Sequence, residues 1–325
     1  MPHKSQNVTI CCISKILSAL PVLLPITAFA GPGHNHGGSQ SILGQGEFRF
    51  TPVVTLEGHG GYENNLVEEG QPAHYSVDGL FGAVMEWGLS RQGSFAIEAA
   101  LGPAAVWGEA EHFYGRIHVE EDHHNKAHDD HGENHDHDHA SGQPFRRFDV
   151  KGIVQARYQP NSRVALSASW LPHYVTRSQG EDIQGLKQEV EAAATFAFGD
   201  GDVNFALGDG LESIVDGLFA TVRNRSGWES DGTYLGNYTD AWLGLGFNID
   251  RLSIALSAGP RFYLPGSYSA LNQRTDWGGD FAIEYPVSDS VVAFAHLEMI
   301  YSTRSGDGWG TGFQNHVGTG VTFRF

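Results

Sequence analysis

In the segment Val317-Gly-Thr-Gly-Val-Thr-Phe-Arg-Phe325, mostly large apolar residues alternate with small or polar ones. Two valines, two phenylalanines and Thr319 occupy one face, while glycine, threonine and arginine occupy the other. Successive side chains of an extended strand point to opposite sides of a sheet. The period of two therefore predicts a β-strand whose two faces meet different surroundings.

The same period governs most of the chain from residue 47 onward. Between Leu252 and Leu264, one face carries leucine, isoleucine and phenylalanine, and the other carries Ser253, Ser257 and Arg261. A soluble β-sandwich alternates in the same way, so the period leaves two architectures open. Twelve strands are predicted, near residues 47–60, 75–89, 95–108, 146–158, 163–175, 185–198, 203–210, 239–249, 252–264, 275–287, 291–303 and 315–325.

The connections between these strands are predicted to alternate in length. The short connections are 90–94, 159–162, 199–202, 250–251 and 288–290. The long connections are 61–74, 109–145, 176–184, 211–238, 265–274 and 304–314. Tight turns at one end and long extracellular loops at the other are typical of barrels that span the outer membrane.

Residues 47–325 resemble bacterial outer-membrane β-barrel proteins in two features. Their short and long connections alternate, and their last strand alternates apolar residues and ends in phenylalanine, as the final strand of those proteins does. The resemblance is to the class as a whole. It implies an all-β fold, a transmembrane antiparallel up-and-down β-barrel of about 12 strands, with 10 or 14 as alternatives. It also implies outer-membrane lipid and the barrel-assembly machinery as partners.

Residues 1–30 are predicted to be a signal peptide. Lys4 and Lys15 precede an apolar stretch that closes with Ala28-Phe-Ala30, a small-x-small cleavage pattern. Residues 31–46 are then expected to be a periplasmic N-terminal extension, with both mature termini in the periplasm. Cys11 and Cys12 lie in the signal, which leaves the mature chain without disulfides or thiolate metal ligands.

Charge and motifs exclude several classes of function. The formal net charge is −18, and it becomes −20 when two of the 20 basic residues leave with the signal, so nucleic acid is not expected as a partner and cations are. The chain has no Gly-x-Ser-x-Gly elbow, phosphate loop, nucleotide fingerprint or HExxH helix. We expect no enzyme activity. About 280 mature barrel residues also leave no room for a plug domain of the kind that energy-coupled receptors carry.

The alternation stops at residues 109–145, which we call the histidine segment. It holds nine of the 17 histidines and ten acidic residues, opposed only by Arg116 and Lys126. Such a polar segment cannot bury a core, and we interpret it as an extracellular loop. Its candidate metal ligands are His112, His118, His123, His124, His128, Asp129, Asp130, His131, His135, Asp136, His137, Asp138 and His139.

Imidazole and carboxylate groups together suit divalent transition metals, with Zn²⁺ first and Ni²⁺ or Cu²⁺ as alternatives. The segment has no fixed finger-type spacing, so several exchangeable sites are expected. A smaller candidate site is His34 with His36 in the N-terminal extension. The simpler alternative is a solvated acidic loop in which the histidines are incidental.

The alternation also predicts which polar residues face the lumen: Glu57, His59, Asp280, Glu284, His296, Glu298 and His316. They could form a metal pathway. They could equally be part of the paired charges that fill narrow barrels, with Arg49, Lys151, Arg157, Arg261 and Arg324 as partners. Three functions follow: passive metal uptake, a non-conducting metal-buffering or sensing barrel, or a general small-solute porin or adhesion barrel.

Overall fold

The computed structural model describes residues 43–63, 73–89, 93–107, 146–177, 184–199, 201–205, 213–266, 273–302 and 311–325. The signal peptide, His34, His36 and the histidine segment lie outside these ranges. None of the described residues forms a helix long and apolar enough to cross a membrane.

The described residues form thirteen strands. They are β1 (Phe48–Glu63), β2 (Ala73–Gly88), β3 (Ser94–Trp107), β4 (Arg146–Asn161), β5 (Val164–Val175), β6 (Gly185–Ala197), β7 (Asp202–Phe205), β8 (Ser213–Trp228), β9 (Tyr234–Ile249), β10 (Leu252–Pro265), β11 (Arg274–Ser288), β12 (Val291–Ser302) and β13 (Gly312–Arg324).

Twelve of the strands close into an antiparallel barrel. Each pairs with its neighbours in sequence, β1 pairs with β13 (Gly58 opposite Thr319), and β6 pairs with β8 (Ala192 opposite Asn224). Closure leaves no barrel strand with an unpaired edge, which a spanning sheet requires. The predicted fold class and strand number are therefore confirmed.

The two ends of the barrel differ. Residues 162–163, 250–251 and 289–290 make tight turns at one end, which we call the turn end. The first residue of β1 and the last residue of β13 lie at this end. The opposite end, the loop end, carries the connections 64–72, 108–145, 176–184, 229–233, 266–273 and 303–311.

One part of the strand prediction is wrong. The predicted strand at 203–210 is only the short β7, and the predicted loop at 211–238 contains β8 and the start of β9. The two errors cancel in the strand count. The outer face of β8 carries Asn224 and Ser226, which hydrogen-bond with Asn237 on β9. These polar residues break the apolar alternation that would have revealed a strand.

The outward faces form an apolar belt. Leu101 and Leu243 are 58% and 64% exposed on the isolated barrel, as are many similar side chains around the wall. Aromatic residues meet near both ends of this belt: Phe48, Trp87 and Phe95 at the turn end, and Tyr301 with Phe313 at the loop end. Lipid covers such a belt, and aromatic girdles mark its two interfaces.

β7 lies inside the barrel at the turn end. It pairs only with Ser213–Asp216, and its Val203 is buried against the lumen-facing side chains of Ala165, Ala197 and Phe219. Val203 also receives a hydrogen bond on its carbonyl from Gln159. We call the paired segments Asp202–Phe205 and Ser213–Asp216 the inner hairpin. Because Val203 packs against inward side chains of β5, β6 and β8, the inner hairpin occupies part of the lumen at the turn end.

Candidate functional site in the barrel lumen

A cavity of about 180 Å³ lies in the lumen. Its polar lining comes from inward positions of eight strands. Four lining residues are carboxylates (Glu57, Asp78, Glu189, Glu298), four are permanent cations (Lys151, Lys187, Arg223, Arg225) and four are imidazoles (His59, His173, His296, His316).

Three of the imidazoles meet on adjacent strands. We call His59, His296 and His316 the lumen histidine cluster. His59 on β1 and His296 on β12 are both in register with Gly318 on β13, and His316 lies two residues before that glycine on the same face. A Cβ on Gly318 would lie 2.3 Å from Nε2 of His296, so a side chain there would displace this ring from its present position.

The cluster is held by specific contacts. Nε2 of His316 lies 3.2 Å from Nδ1 of His59, and Nε2 of His59 lies 2.9 Å from a carboxylate oxygen of Asp78. Nε2 of His59 also lies 3.0 Å from the Lys151 ammonium, which can only donate, so this nitrogen cannot serve both neighbours. In the tautomer that donates from Nε2 to Asp78, Lys151 bonds to Asp78 instead, and Nδ1 of His59 accepts from His316. Nε2 of His296 lies 3.6 Å from Oε1 of Glu57.

Lys151 joins this cluster to the next part of the wall. Its Nζ lies 2.8 Å from Asp78 and 3.0 Å from Nε2 of His59, although β3 separates its own strand from β2. Ser76 also donates to the Asp78 carboxylate. Asp78 is thus fixed from three sides.

A second group of charges spans the lumen. Asp240 accepts from Arg223 at 2.9 Å and from Arg261 at 2.6 Å. Both guanidinium groups also reach Glu298 on β12, at 2.6 Å from Arg223 and 3.0 Å from Arg261. Since β9, β10 and β11 lie between β8 and β12 in the wall, the Arg223–Glu298 pair crosses the interior. The guanidinium of Arg261 also stacks 4.0 Å from the ring centre of Tyr238.

The side chains that line the cavity, taken with their ion-pair partners, include more carboxylates than permanent cations. Among the described residues, ion pairs join the lining charges to Arg261, Glu191, Glu229 and Asp240, which lie outside the lining. Together with the lining residues they make five cations and seven carboxylates, a balance of −2 with neutral histidines. Such a surrounding favours cations over anions.

The structure brings together most of the predicted lumen residues. Glu57, His59, His296, Glu298 and His316 all line the cavity. Asp280 and Glu284 lie on β11 and do not line it; Asp280 is bonded to Ser257, and Glu284 is buried opposite Ser253.

The basic partners also face inward as predicted. The ion pairs are Arg49 with Glu86, Lys151 with Asp78, Arg157 with Glu98, and Arg261 with Asp240 and Glu298. Sequence reasoning missed Arg223 and Arg225 because it placed them in a loop. Asp78 alternates with the outward Val77 and Phe81, and that signal could have identified it. Lys187 follows the outward Leu186, but the polar Gln188 comes next and interrupts the pattern.

The predicted metal ligands of the histidine segment, and His34 with His36, lie outside the described residues. Within the described ranges, no group of three or more His, Cys, Asp or Glu side chains already surrounds a point as metal ligands would.

A protein-family model matches the second half of the barrel. Residues 185–325, which include β6 to β13, match the family model for a cyanophage outer membrane protein like β-barrel domain. The chain folds as an outer-membrane β-barrel. A comparison with curated protein sequences finds no match.

Solved structures of outer-membrane barrels are similar over most of the chain. An outer membrane channel from Pseudomonas putida F1 is 11% identical, with 91% of this chain and 100% of that chain covered and a TM-score of 0.47. The β domain of the Bordetella autotransporter BrkA is 9% identical, with 85% and 99% covered and a TM-score of 0.43. The transport unit of the autotransporter AIDA-I from Escherichia coli is 10% identical, with 85% and 90% covered and a TM-score of 0.40.

Proposed function

We propose that this barrel binds divalent transition metal ions, zinc foremost, at the surface of a bacterial outer membrane and lets them pass inward without energy coupling. The histidine segment is the collector and the lumen is the path. The observation that carries the proposal is the position of the two residues that flank the segment: Trp107 and Arg146 face each other in register at the loop end of the barrel. In that barrel, the cavity lining and its ion-pair partners together carry two more carboxylates than permanent cations.

In this arrangement the loop end is extracellular and both termini are periplasmic, after insertion by the barrel-assembly machinery. Weak, multidentate sites at a pore mouth raise the local ion concentration, and an electronegative lumen favours entry of the cation. Exchangeable binding is required, because an ion held too tightly would not move on. No covalent chemistry is involved.

Binding by the histidine segment is expected to weaken in acid. A protonated imidazole has no lone pair for a metal, and free imidazole protonates near pH 6.5. Zinc titration of a peptide covering residues 109–145 should therefore give weaker binding at about pH 5.5 than at about pH 7.5. Equal affinity at the two values would exclude imidazole as the main ligand.

A second candidate function, a non-conducting barrel that buffers metal, is favoured by two observations. The Arg223–Glu298 pair crosses the lumen, and the inner hairpin occupies part of the turn end. Both features narrow the path between the two ends.

Conductance in planar bilayers separates the two functions. The uptake proposal predicts open-channel current that is cation-selective, and current at low zinc that falls when the nine histidines of the segment are replaced by asparagine. This variant keeps the length and the acidic residues of the segment, so a loss reports on imidazole. A folded barrel that binds zinc and carries no current would support buffering instead.

A further inference from the structure

We propose that the lumen histidine cluster, together with Glu57, is a coordination site for one transition metal ion, separate from the histidine segment. The inference shares with the proposed function only the premise that such ions enter the lumen. Its ligands would be Nδ1 of His59, Nε2 of His316, Nε2 of His296 and a carboxylate oxygen of Glu57.

The first argument is the spacing of the donor atoms. A tetrahedral zinc ion with Zn–N bonds of about 2.0–2.1 Å separates its nitrogen ligands by roughly 3.3–3.4 Å. Nδ1 of His59 and Nε2 of His316 are 3.2 Å apart, and Nε2 of His296 and Oε1 of Glu57 are 3.6 Å apart. In both pairs, the distance between the two donor atoms is thus close to the distance between two ligands of one tetrahedral zinc ion.

The two pairs occupy one space. The ring centres of His316 lie 5.2 Å from His59 and 5.4 Å from His296. The missing side chain of Gly318 opens this space, since a Cβ there would meet both His296 and Glu57 within 2.5 Å. Coordination by all four donors requires side-chain rotations that bring them to one point, with the ion replacing the His316–His59 hydrogen bond.

The outer contacts of a metal site are also present. Metal-bound histidines donate their other ring N–H to a carboxylate or a carbonyl, which fixes the tautomer and the ring orientation. Nε2 of His59 faces Asp78 at 2.9 Å, and Lys151 and Ser76 hold that carboxylate in turn. This arrangement leaves Nδ1 of His59 as the ligand atom.

Burial and donor type define the class of ion. His59, His296 and Glu57 are each less than one tenth exposed, whereas His316 is partly exposed, so an ion can reach and leave the site from the cavity. Three imidazoles and one carboxylate suit Zn²⁺, Co²⁺, Ni²⁺ or Cu²⁺, whereas Mg²⁺ and Ca²⁺ prefer sets of oxygen donors.

The test uses residues 31–325 with His34, His36 and the nine histidines of the segment replaced by asparagine, so that only the barrel can bind through imidazole. Zinc bound per chain is measured by competition with a coloured chelator, and folding is checked by the mobility shift of unheated barrels on gels. We expect one bound equivalent, and Co²⁺ in its place should show the visible absorption of a four-coordinate site.

In that background, Asp78→Asn should weaken zinc binding about 10–100-fold, and His316→Gln or His59→Gln at least as much. His173→Gln is the matched control, because His173 lines the same cavity but bonds to Asp149. A folded chain that binds no zinc, or that binds it equally well after His316→Gln and His59→Gln, would overturn the site. If this site binds while the segment has no effect on zinc entry, only the collector role of the segment is lost.

Discussion

At the scale of single residues, paired charges determine the character of the lumen. Asp240 is fully buried and depends on Arg223 and Arg261 for its compensation. Replacing Arg261 with methionine keeps most of the volume but leaves Asp240 with one partner. We expect a loss of about 3–5 kcal/mol in the free energy of unfolding, since an under-compensated charge would remain in the interior.

The measurement is urea unfolding of the barrel reconstituted in lipid vesicles. Arg251→Met serves as the control, because Arg251 lies exposed in the tight turn between β9 and β10. Its guanidinium lies 5.8 Å from the ring centre of Tyr285, so the substitution should change stability by at most about 1 kcal/mol. Equal losses in the two variants would show that the interior pairs have no special weight.

At the scale of elements, the inner hairpin is the feature with a testable effect on permeation. Val203 is fully buried against Phe219, Ala197 and Ala165, so Val203→Asp would place a charge in an apolar contact without compensation. We expect the hairpin to leave the lumen while the twelve-stranded wall stays closed. Single-channel conductance should then rise, whereas Val203→Ile, which keeps the contact apolar, should leave it near the wild-type value.

A conductance that stays unchanged in Val203→Asp would mean that the inner hairpin does not limit the flow of ions through the lumen.

The strands on either side of this region show which elements the sequence can predict and which it cannot. Strands with a clean apolar face, such as β10 and β13, were located to within a few residues. β8 was missed because Asn224 and Ser226, which hydrogen-bond to β9, interrupt the apolar outer face that Leu218 and Val222 begin. Such contacts between strands leave no periodic signal in one sequence.

At the scale of the whole molecule, closure of the sheet brings the first strand beside the last one, so alternation in the sequence predicts which side chains share the lumen. Residues of β1, β12 and β13 were predicted to lie side by side there, and Glu57, His59, His296 and His316 line one cavity. The Arg223–Glu298 pair could not be predicted, since strand order alone does not tell which charges meet across an interior.

The central claim is that divalent transition metal ions pass through this lumen, and zinc entry into proteoliposomes tests it most directly. Vesicles loaded with a zinc-sensitive dye and containing the folded barrel should brighten faster than protein-free vesicles when zinc is added outside. Entry at low zinc should slow when the histidines of the segment are replaced by asparagine. Dye response equal to that of protein-free vesicles, with the barrel folded in the membrane, would contradict the claim.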